Sequence, residues 1–291
     1  MDADAEGLPI LPDVLVERIA VISTHNWLEW ARTWRQVSRQ FRDQAWYDEH
    51  LGFPVTMVPS ATCKTVAQGL REASSTGGGR VVLVKPGVYN ENLRVTADLT
   101  VIGWGPRGKV VVEGAGYEPA LVFAGLGMSR QQAEILGVAY GDTGEHAVVR
   151  NITISGVNAE QAFVIYMQSG QACVTRCDIQ GGVWIGGRGA NPEISCNRIY
   201  GSRNCGVKVT DHAQGQIKHN TIEGNKRQGV LVERGARPAV VENVFGSNAL
   251  HSIAVTDSAR ASVVGNQMEP TFVSLEVLAG DGGAGAEGVS A

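Results

Sequence analysis

Short runs of alternating apolar and polar residues follow one another along most of the chain, and in its second half they recur every 23 residues. Glycine, asparagine, aspartate or serine separates the runs, which is the pattern of short β-strands joined by turns. In each period three apolar columns return, one of them two residues after a recurring asparagine. The asparagines are Asn197, Asn220, Asn243 and Asn266, and the columns are Ile199, Ile222, Phe245 and Met268; Val207, Val230 and Ile253; and Ile217, Val240 and Val263.

A repeat of this length indicates a solenoid, because one repeat cannot bury its apolar face alone. The runs lack the 3.6-residue spacing of helical repeats, so the sequence predicts a mainly β fold, a parallel β-helix with three strands in each 23-residue coil. Crossovers between parallel strands are almost always right-handed, so we expect a right-handed coil. The asparagines suit its corners, since asparagine tolerates the left-handed backbone conformation and stacked amides can hydrogen-bond to one another.

The β-helix is predicted to begin well before the regular repeat. Residues 63–75 form a short helix that caps the first coil, with Val66, Leu70 and Ala73 on one face. After it, the strand 81–84 and the Pro-Gly-Val-Tyr turn at 86–89 resemble the first coils of pectin-lyase-like (CASH-type) β-helices. This resemblance covers residues 55–278, broken by an irregular segment at 124–147, and residues 279–291 form a Gly/Ala-rich tail that we expect to be flexible.

Composition divides the chain into two parts. Residues 1–52 hold nine acids, five arginines and four of the six tryptophans, so they carry the whole net charge of −4. Residues 53–291 are balanced in charge and offer no basic field for nucleic acid, and no apolar run is long enough for a membrane span. Five cysteines without a pairing pattern predict reduced thiols and a cytoplasmic or nuclear location. No ligand pattern for a metal or cofactor is present, so none is expected.

The first part is predicted to form three short helices, which resemble an F-box. The matching residues begin with Leu11-Pro12-Asp13-Val14-Leu15, although Ser38 replaces the usual cysteine, Phe41 the usual tryptophan, and the aspartate-rich loop is absent. The resemblance implies that these helices dock a Skp-type adaptor. The residues it assigns to that contact are Leu11, Pro12, Leu15, Ile19, Trp27, Val37 and Phe41.

Together the two parts resemble F-box proteins with β-helix repeats, the substrate-recognition subunits of cullin–RING ubiquitin ligases. This resemblance implies a non-catalytic protein whose partners are a Skp-type adaptor, the cullin complex and a client protein. Two other interpretations stay open: a carbohydrate-active or carbohydrate-binding β-helix, and a scaffold whose F-box has lost its partner. The helices of residues 1–52 could also plug the β-helix, but residues 63–75 already supply a cap, which favours a separate module.

The case for catalysis rests on two features. Gly87-Val88-Tyr89-Asn90-Glu91 matches a pectin methylesterase segment, but the segments that carry the catalytic carboxylates of that family have no counterpart here. Asp211 and Asp257 fall in one column two coils apart with Arg234 between them, and a cation there would keep both acids ionised. Glycosidase chemistry requires one protonated acid, so the sequence predicts no catalytic site.

The outward positions of one strand column provide a candidate binding strip. Trp184, Lys208 and Leu231 are predicted to lie side by side on successive coils, with Ala254 beyond them. A tryptophan beside a lysine and a leucine suits the binding of an extended peptide of the client protein. The alternative is that these are ordinary surface residues, or that Trp184 covers a neighbouring loop.

Overall fold

The computed structural model describes residues 55–75, 81–123, 146–156, 162–268 and 275–277. They form a parallel β-helix built from three sheets, and every strand pairs with the equivalent strand of the coil before or after it. Its single described helix, α1, spans Val66–Ser75. The mainly β, three-strand coil predicted from the repeat is therefore confirmed.

Sheet A has nine strands and sheets B and C have eight each. Sheet A contains β1 Val55–Val58, β2 Val81–Val84, β5 Thr100–Gly103, β8 Val148–Arg150, β11 Cys173–Thr175, β14 Glu193–Ser195, β17 Gln216–Lys218, β20 Ala239–Val241 and β23 Ser262–Val264. Sheet B contains β3 Gly87–Asn90, β6 Val110–Gly114, β9 Thr153–Gly156, β12 Asp178–Gln180, β15 Arg198–Tyr200, β18 Thr221–Glu223, β21 Val244–Phe245 and β24 Gln267–Met268. Sheet C contains β4 Leu93–Val95, β7 Leu121–Phe123, β10 Phe163–Met167, β13 Gly182–Gly186, β16 Val207–Thr210, β19 Val230–Val232, β22 Ile253–Val255 and β25 Leu275–Val277.

The predicted apolar columns stack in the core. Ile199, Ile222 and Phe245 are buried and in register on sheet B, and the partly buried Met268 closes this column. The shorter coil that was predicted from the 20-residue step between Ile179 and Ile199 is also present, with these two residues paired. One residue from each coil thus fills each layer of the core, so the stack depends on every coil keeping its register.

The asparagine column forms a buried ladder at the corner between sheets A and B. The side-chain amide of Asn197 donates to Asn220 Oδ1 at 3.1 Å, that of Asn220 to Asn243 Oδ1 at 3.0 Å, and that of Asn243 to Asn266 Oδ1 at 3.0 Å. The expected left-handed conformation, however, belongs to the residue before each asparagine: Cys196, His219, Glu242 and Gly265. The asparagines themselves point into the core, where their amides replace missing backbone partners.

Helix α1 covers the first coils, as the sequence predicted, and buries Val66, Leu70 and Ala73. Its N-terminus is capped from 25 residues away, because the Glu91 carboxylate accepts hydrogen bonds from the backbone N–H of Val66 at 2.9 Å and of Ala67 at 2.8 Å. A carboxylate at this position satisfies free N–H groups and complements the helix dipole. In the same segment the Tyr89 hydroxyl donates to Lys85 O at 2.7 Å. The Gly-Val-Tyr-Asn-Glu segment thus has a structural role here.

Several predictions fall on residues that the structure does not describe. The three F-box-like helices of residues 1–52, nearly all of the 124–147 segment and the tail at 279–291 lie outside the described residues, as do all seven proposed adaptor contacts. The division into domains therefore stays a prediction. Within the described residues, no helix has the length and apolar character that crossing a membrane requires.

The five cysteines are free thiols at separate places in the β-helix. Burial raises the pKa of Cys177 to about 12 and that of Cys173 to about 11. These two thiols are therefore protonated and unreactive near neutral pH. The cytoplasmic or nuclear location predicted from the cysteines stays a prediction.

Candidate functional site

The outer face of sheet C carries one side chain per coil, and we call this row the sheet C strip. Trp184, Lys208 and Leu231 lie next to one another in the order that the 23-residue register predicts. Leu231 is only 7% exposed and Ala254 only 1%, so the accessible part of the strip is Tyr166, Trp184 and Lys208. The whole strip consists of Arg94, Val122, Tyr166, Trp184, Lys208, Leu231 and Ala254.

An aromatic pair occupies the middle of the strip. The rings of Tyr166 and Trp184 stack with their centroids 5.3 Å apart and their planes 25° apart, and Phe163 meets Tyr166 edge-on at 6.2 Å. The Trp184 ring lies over Gly186, where a Cβ would come within 2.3 Å of it. Glycine at this position therefore allows the ring to lie against the strand backbone. Burial raises the pKa of the Tyr166 hydroxyl, which stays protonated at neutral pH.

A carboxylate lies on the next row of the same face. Glu233 is one coil beyond Thr210, which is itself one coil beyond Gly186. Its carboxylate is 2.9 Å from Lys208 Nζ and 3.7 Å from Arg234 Nε, and it accepts a 3.4 Å hydrogen bond from the Thr210 hydroxyl. Only 14% of the Glu233 side chain is exposed. Two cations and a hydroxyl thus hold one nearly buried carboxylate beside the aromatic pair.

The Asp-Arg-Asp column at the C–A corner is a feature of the turns. Asp211, Arg234 and Asp257 all have positive φ, and each is followed by a second residue with positive φ. Aspartate tolerates this conformation better than most residues, which accounts for its presence. Arg234 is 3.5 Å from Asp211, and among the described residues its other ion pair is with Glu233 rather than with Asp257. The predicted ladder is therefore only half formed.

Sequence reasoning did not find Glu233, although the repeat contains the signal. Lys208 and Glu233 are 25 residues apart, which is one coil plus two residues along the strand. The ion pairs Arg198–Glu223 on sheet B and Glu193–Lys218 on sheet A have the same separation. A search for opposite charges 25 residues apart would have found all three. No group of three or more His, Cys, Asp and Glu in the described part of the chain could hold a metal ion.

Two family models match the chain. A model described as right handed beta helix region matches residues 136–288, and a pectinesterase model matches residues 54–183. The pectinesterase match thus includes helix α1, the Gly87–Glu91 segment and the aromatic pair up to the residue before Trp184. No curated protein matches the chain in sequence.

Two solved structures resemble the chain. The Agl-KA catalytic domain has a TM-score of 0.46 at 14% identity over 72% of this chain, and 41% of that structure is covered. The tailspike protein gp49 from Acinetobacter baumannii bacteriophage Fri1, a capsular polysaccharide depolymerase, has a TM-score of 0.45 at 10% identity over 78% of this chain. The chain covers 56% of the tailspike structure, so it spans about half the length of these two proteins. Likenesses of this size say nothing about activity.

The pectinesterase match corrects three predictions made from the sequence. The prediction of a ubiquitin-ligase subunit is wrong, as are those of a non-catalytic protein and of Skp-type adaptor, cullin and client partners. Both family matches lie within residues 54–288, so neither includes the F-box-like segment on which those predictions depended. The matched residues form the β-helix, and the strip that they build carries an aromatic pair and a paired carboxylate.

Proposed function

We propose that this chain, which belongs to the right-handed β-helix family, is an enzyme that acts on a carbohydrate polymer lying along the sheet C strip. The stacked aromatic pair beside Glu233 is the observation that carries this proposal. It supports the carbohydrate-active interpretation that the sequence left open, and the pectinesterase match points to the same class of substrate.

The aromatic pair suits a sugar ring. One face of a pyranose presents C–H groups that pack on aromatic carbons, while its hydroxyls turn toward neighbouring polar groups. Tyr166 and Trp184 are both half-buried, so their rings are fixed but still accessible. Successive coils are about 4.8 Å apart, which is comparable to one sugar unit of an extended polymer. The repeat of the protein can therefore follow the repeat of the polymer.

Glu233 is the proposed catalytic carboxylate. An ionised carboxylate can take a proton from water, whose oxygen then attacks the substrate carbon, and the same proton can afterwards pass to the leaving oxygen. Lys208 and Arg234, the cations nearest to Glu233, favour its ionised form and can stabilise negative charge that develops on the substrate. The pectinesterase match favours an ester bond as the bond that is cleaved.

The test separates binding from turnover. The full chain is incubated with a panel of esterified and unesterified plant and bacterial polysaccharides, and released acid and new reducing ends are measured. Glu233→Gln keeps the size of the side chain but removes the base, so we expect turnover to fall about 100-fold or more while binding is retained.

The matched control is Glu223→Gln on sheet B. Glu223 is also paired with a cation, Arg198, at 2.7 Å, but it lies on another face. Its turnover should equal that of the unmodified protein. Equal loss in both variants, or full turnover in Glu233→Gln, would remove Glu233 from the proposed site.

A further inference from the structure

Three turns that join sheet B to sheet C form a basic edge beside the sheet C strip. They span residues 201–206, 224–229 and 246–252, and none of them contains an aspartate or a glutamate. Arg203, Lys226 and Arg227 are exposed there, and none of the three forms an ion pair with a described residue. On the sheet C strip itself, by contrast, Arg94 is paired with Glu118 and Lys208 with Glu233. The unbalanced positive charge therefore lies along the edge.

The edge is rigid, so these cations have fixed spacing. The backbone N–H of Lys226 donates to Ser202 O at 2.8 Å and that of Arg227 to Asn204 O at 3.2 Å, so the turns stack in register. A second, shorter asparagine ladder supports them: Asn225 donates from its side chain to Asn248 Oδ1 at 2.9 Å. Arg203 and Lys226 are consequently one coil apart, about 4.8 Å along the axis.

A buried amide next to the edge also lacks a partner. Gln228 is only 8% exposed, and its side-chain Oε1 accepts no hydrogen bond from the described residues. A buried acceptor without a partner is costly, and a ligand hydroxyl would satisfy it. Gln228 directly follows Arg227, so an acceptor for a hydroxyl and donors for an anion occur side by side.

We propose that this edge binds the acidic groups of the polymer that lies on the sheet C strip, and that the substrate is therefore an anionic polysaccharide carrying carboxylate or sulfate groups. This inference rests on the proposed function, because it places the same polymer across both surfaces. Hydroxyls would pair with Gln228, and acidic groups on successive sugars would meet Arg203 and Lys226 on successive coils. A nucleic acid is a weaker fit, since the described part of the edge offers no aromatic side chain for bases to stack on.

The test compares two pairs of exposed cations in the full chain. Arg203→Ser/Lys226→Ser removes two charges one coil apart from the edge. Arg237→Ser/Arg260→Ser removes two charges with the same spacing from the turns between sheets C and A, where Asp211 and Asp257 balance them. Binding is measured at several salt concentrations with dextran sulfate, dextran, polygalacturonate, carboxyl-reduced polygalacturonate and a single-stranded DNA oligonucleotide.

We expect the first pair to weaken binding of both anionic polysaccharides about tenfold and to flatten the salt dependence, while the second pair has little effect. The two arms distinguish a sulfate from a carboxylate ligand. Equal binding of charged and neutral polymers, unchanged binding in Arg203→Ser/Lys226→Ser, or tighter binding of the oligonucleotide than of either polysaccharide would overturn the proposal.

A third variant separates this proposal from the proposed function. If Trp184→Ala loses polysaccharide binding and Arg203→Ser/Lys226→Ser retains it, the sheet C strip stands and the basic edge is wrong. If only Arg203→Ser/Lys226→Ser loses binding, the edge does bind the polyanion but the polymer does not lie on sheet C.

Discussion

Replacing Ile222 with aspartate is expected to unfold the β-helix. Ile222 has no exposed surface and lies in register between Ile199 and Phe245 in the sheet B column of the core. An aspartate there would place a charge in an apolar layer with no partner, so the free energy of unfolding should fall by more than about 4 kcal/mol. Because each coil stacks only on its neighbours, loss of this layer would separate the coils on either side.

Thermal melting followed by circular dichroism measures this effect. The control is Thr221→Asp, one residue earlier on strand β18, where the side chain faces outward and is half-buried. The control should melt close to the unmodified protein, whereas Ile222→Asp should be unfolded or strongly destabilised. An Ile222→Asp protein that melts within a degree or two of the unmodified protein would contradict the register.

Replacing Asn220 with alanine should be nearly as damaging, although it removes only polar contacts. The Asn220 side chain accepts from Asn197 N at 2.9 Å and from Asn197 Nδ2 at 3.1 Å, and it donates to Ile194 O at 2.8 Å and to Asn243 Oδ1 at 3.0 Å. Asn220 is 1% exposed, so water cannot replace these bonds easily. Each buried group left without a partner costs about 1–3 kcal/mol, and the total should be about 4 kcal/mol.

Denaturant unfolding measures the loss for Asn220→Ala. Asn204→Ala is the matched variant, because Asn204 is half-buried in a turn and its side-chain oxygen accepts from the backbone of the next residue. We expect it to lose about 1 kcal/mol. Equal losses in the two variants would show that the ladder is not a cooperative support of the coil.

The core of the fold could be predicted from the sequence because it repeats. Once Asn197 and Asn220 set the period, the positions of Ile199 and Ile222 in one buried column followed from the alternation of side chains along a strand. The turn conformations did not follow in the same way. Glu242 has a φ of 52° although glutamate rarely adopts this conformation, because the stack of coils imposes the corner and the side chain has no part in choosing it.

The site was only partly predictable. Trp184 and Lys208 were found as neighbours because they occupy the same strand position, but Glu233 belongs to the next row and pairs diagonally with Lys208. Glu91 shows the opposite problem, since its motif suggested catalysis and its carboxylate caps helix α1. A short motif reports the local backbone that its residues can form, whereas the chemistry depends on which coils lie beside it.

The choice of function failed for a related reason. The F-box-like residues occupy only the first 52 positions, and they were given more weight than the β-helix that forms most of the chain. The segment from Gly87 to Glu91 was dismissed because the catalytic carboxylates of pectin methylesterases are missing. The pectinesterase match nevertheless extends over residues 54–183, far beyond that segment.

The affinity of the full chain for its polysaccharide, measured in parallel for Trp184→Ala and Tyr200→Ala, tests the central claim most directly. Tyr200 is also a half-buried aromatic residue, but it lies on sheet B under the Arg198 guanidinium. If the polymer lies on the sheet C strip, Trp184→Ala should lose about 2 kcal/mol of binding, or roughly 30-fold in Kd, with little change in melting temperature, and Tyr200→Ala should bind normally. Normal affinity in Trp184→Ala together with a lowered melting temperature would mean that the Trp184 ring only stabilises the sheet, and would contradict the proposed site.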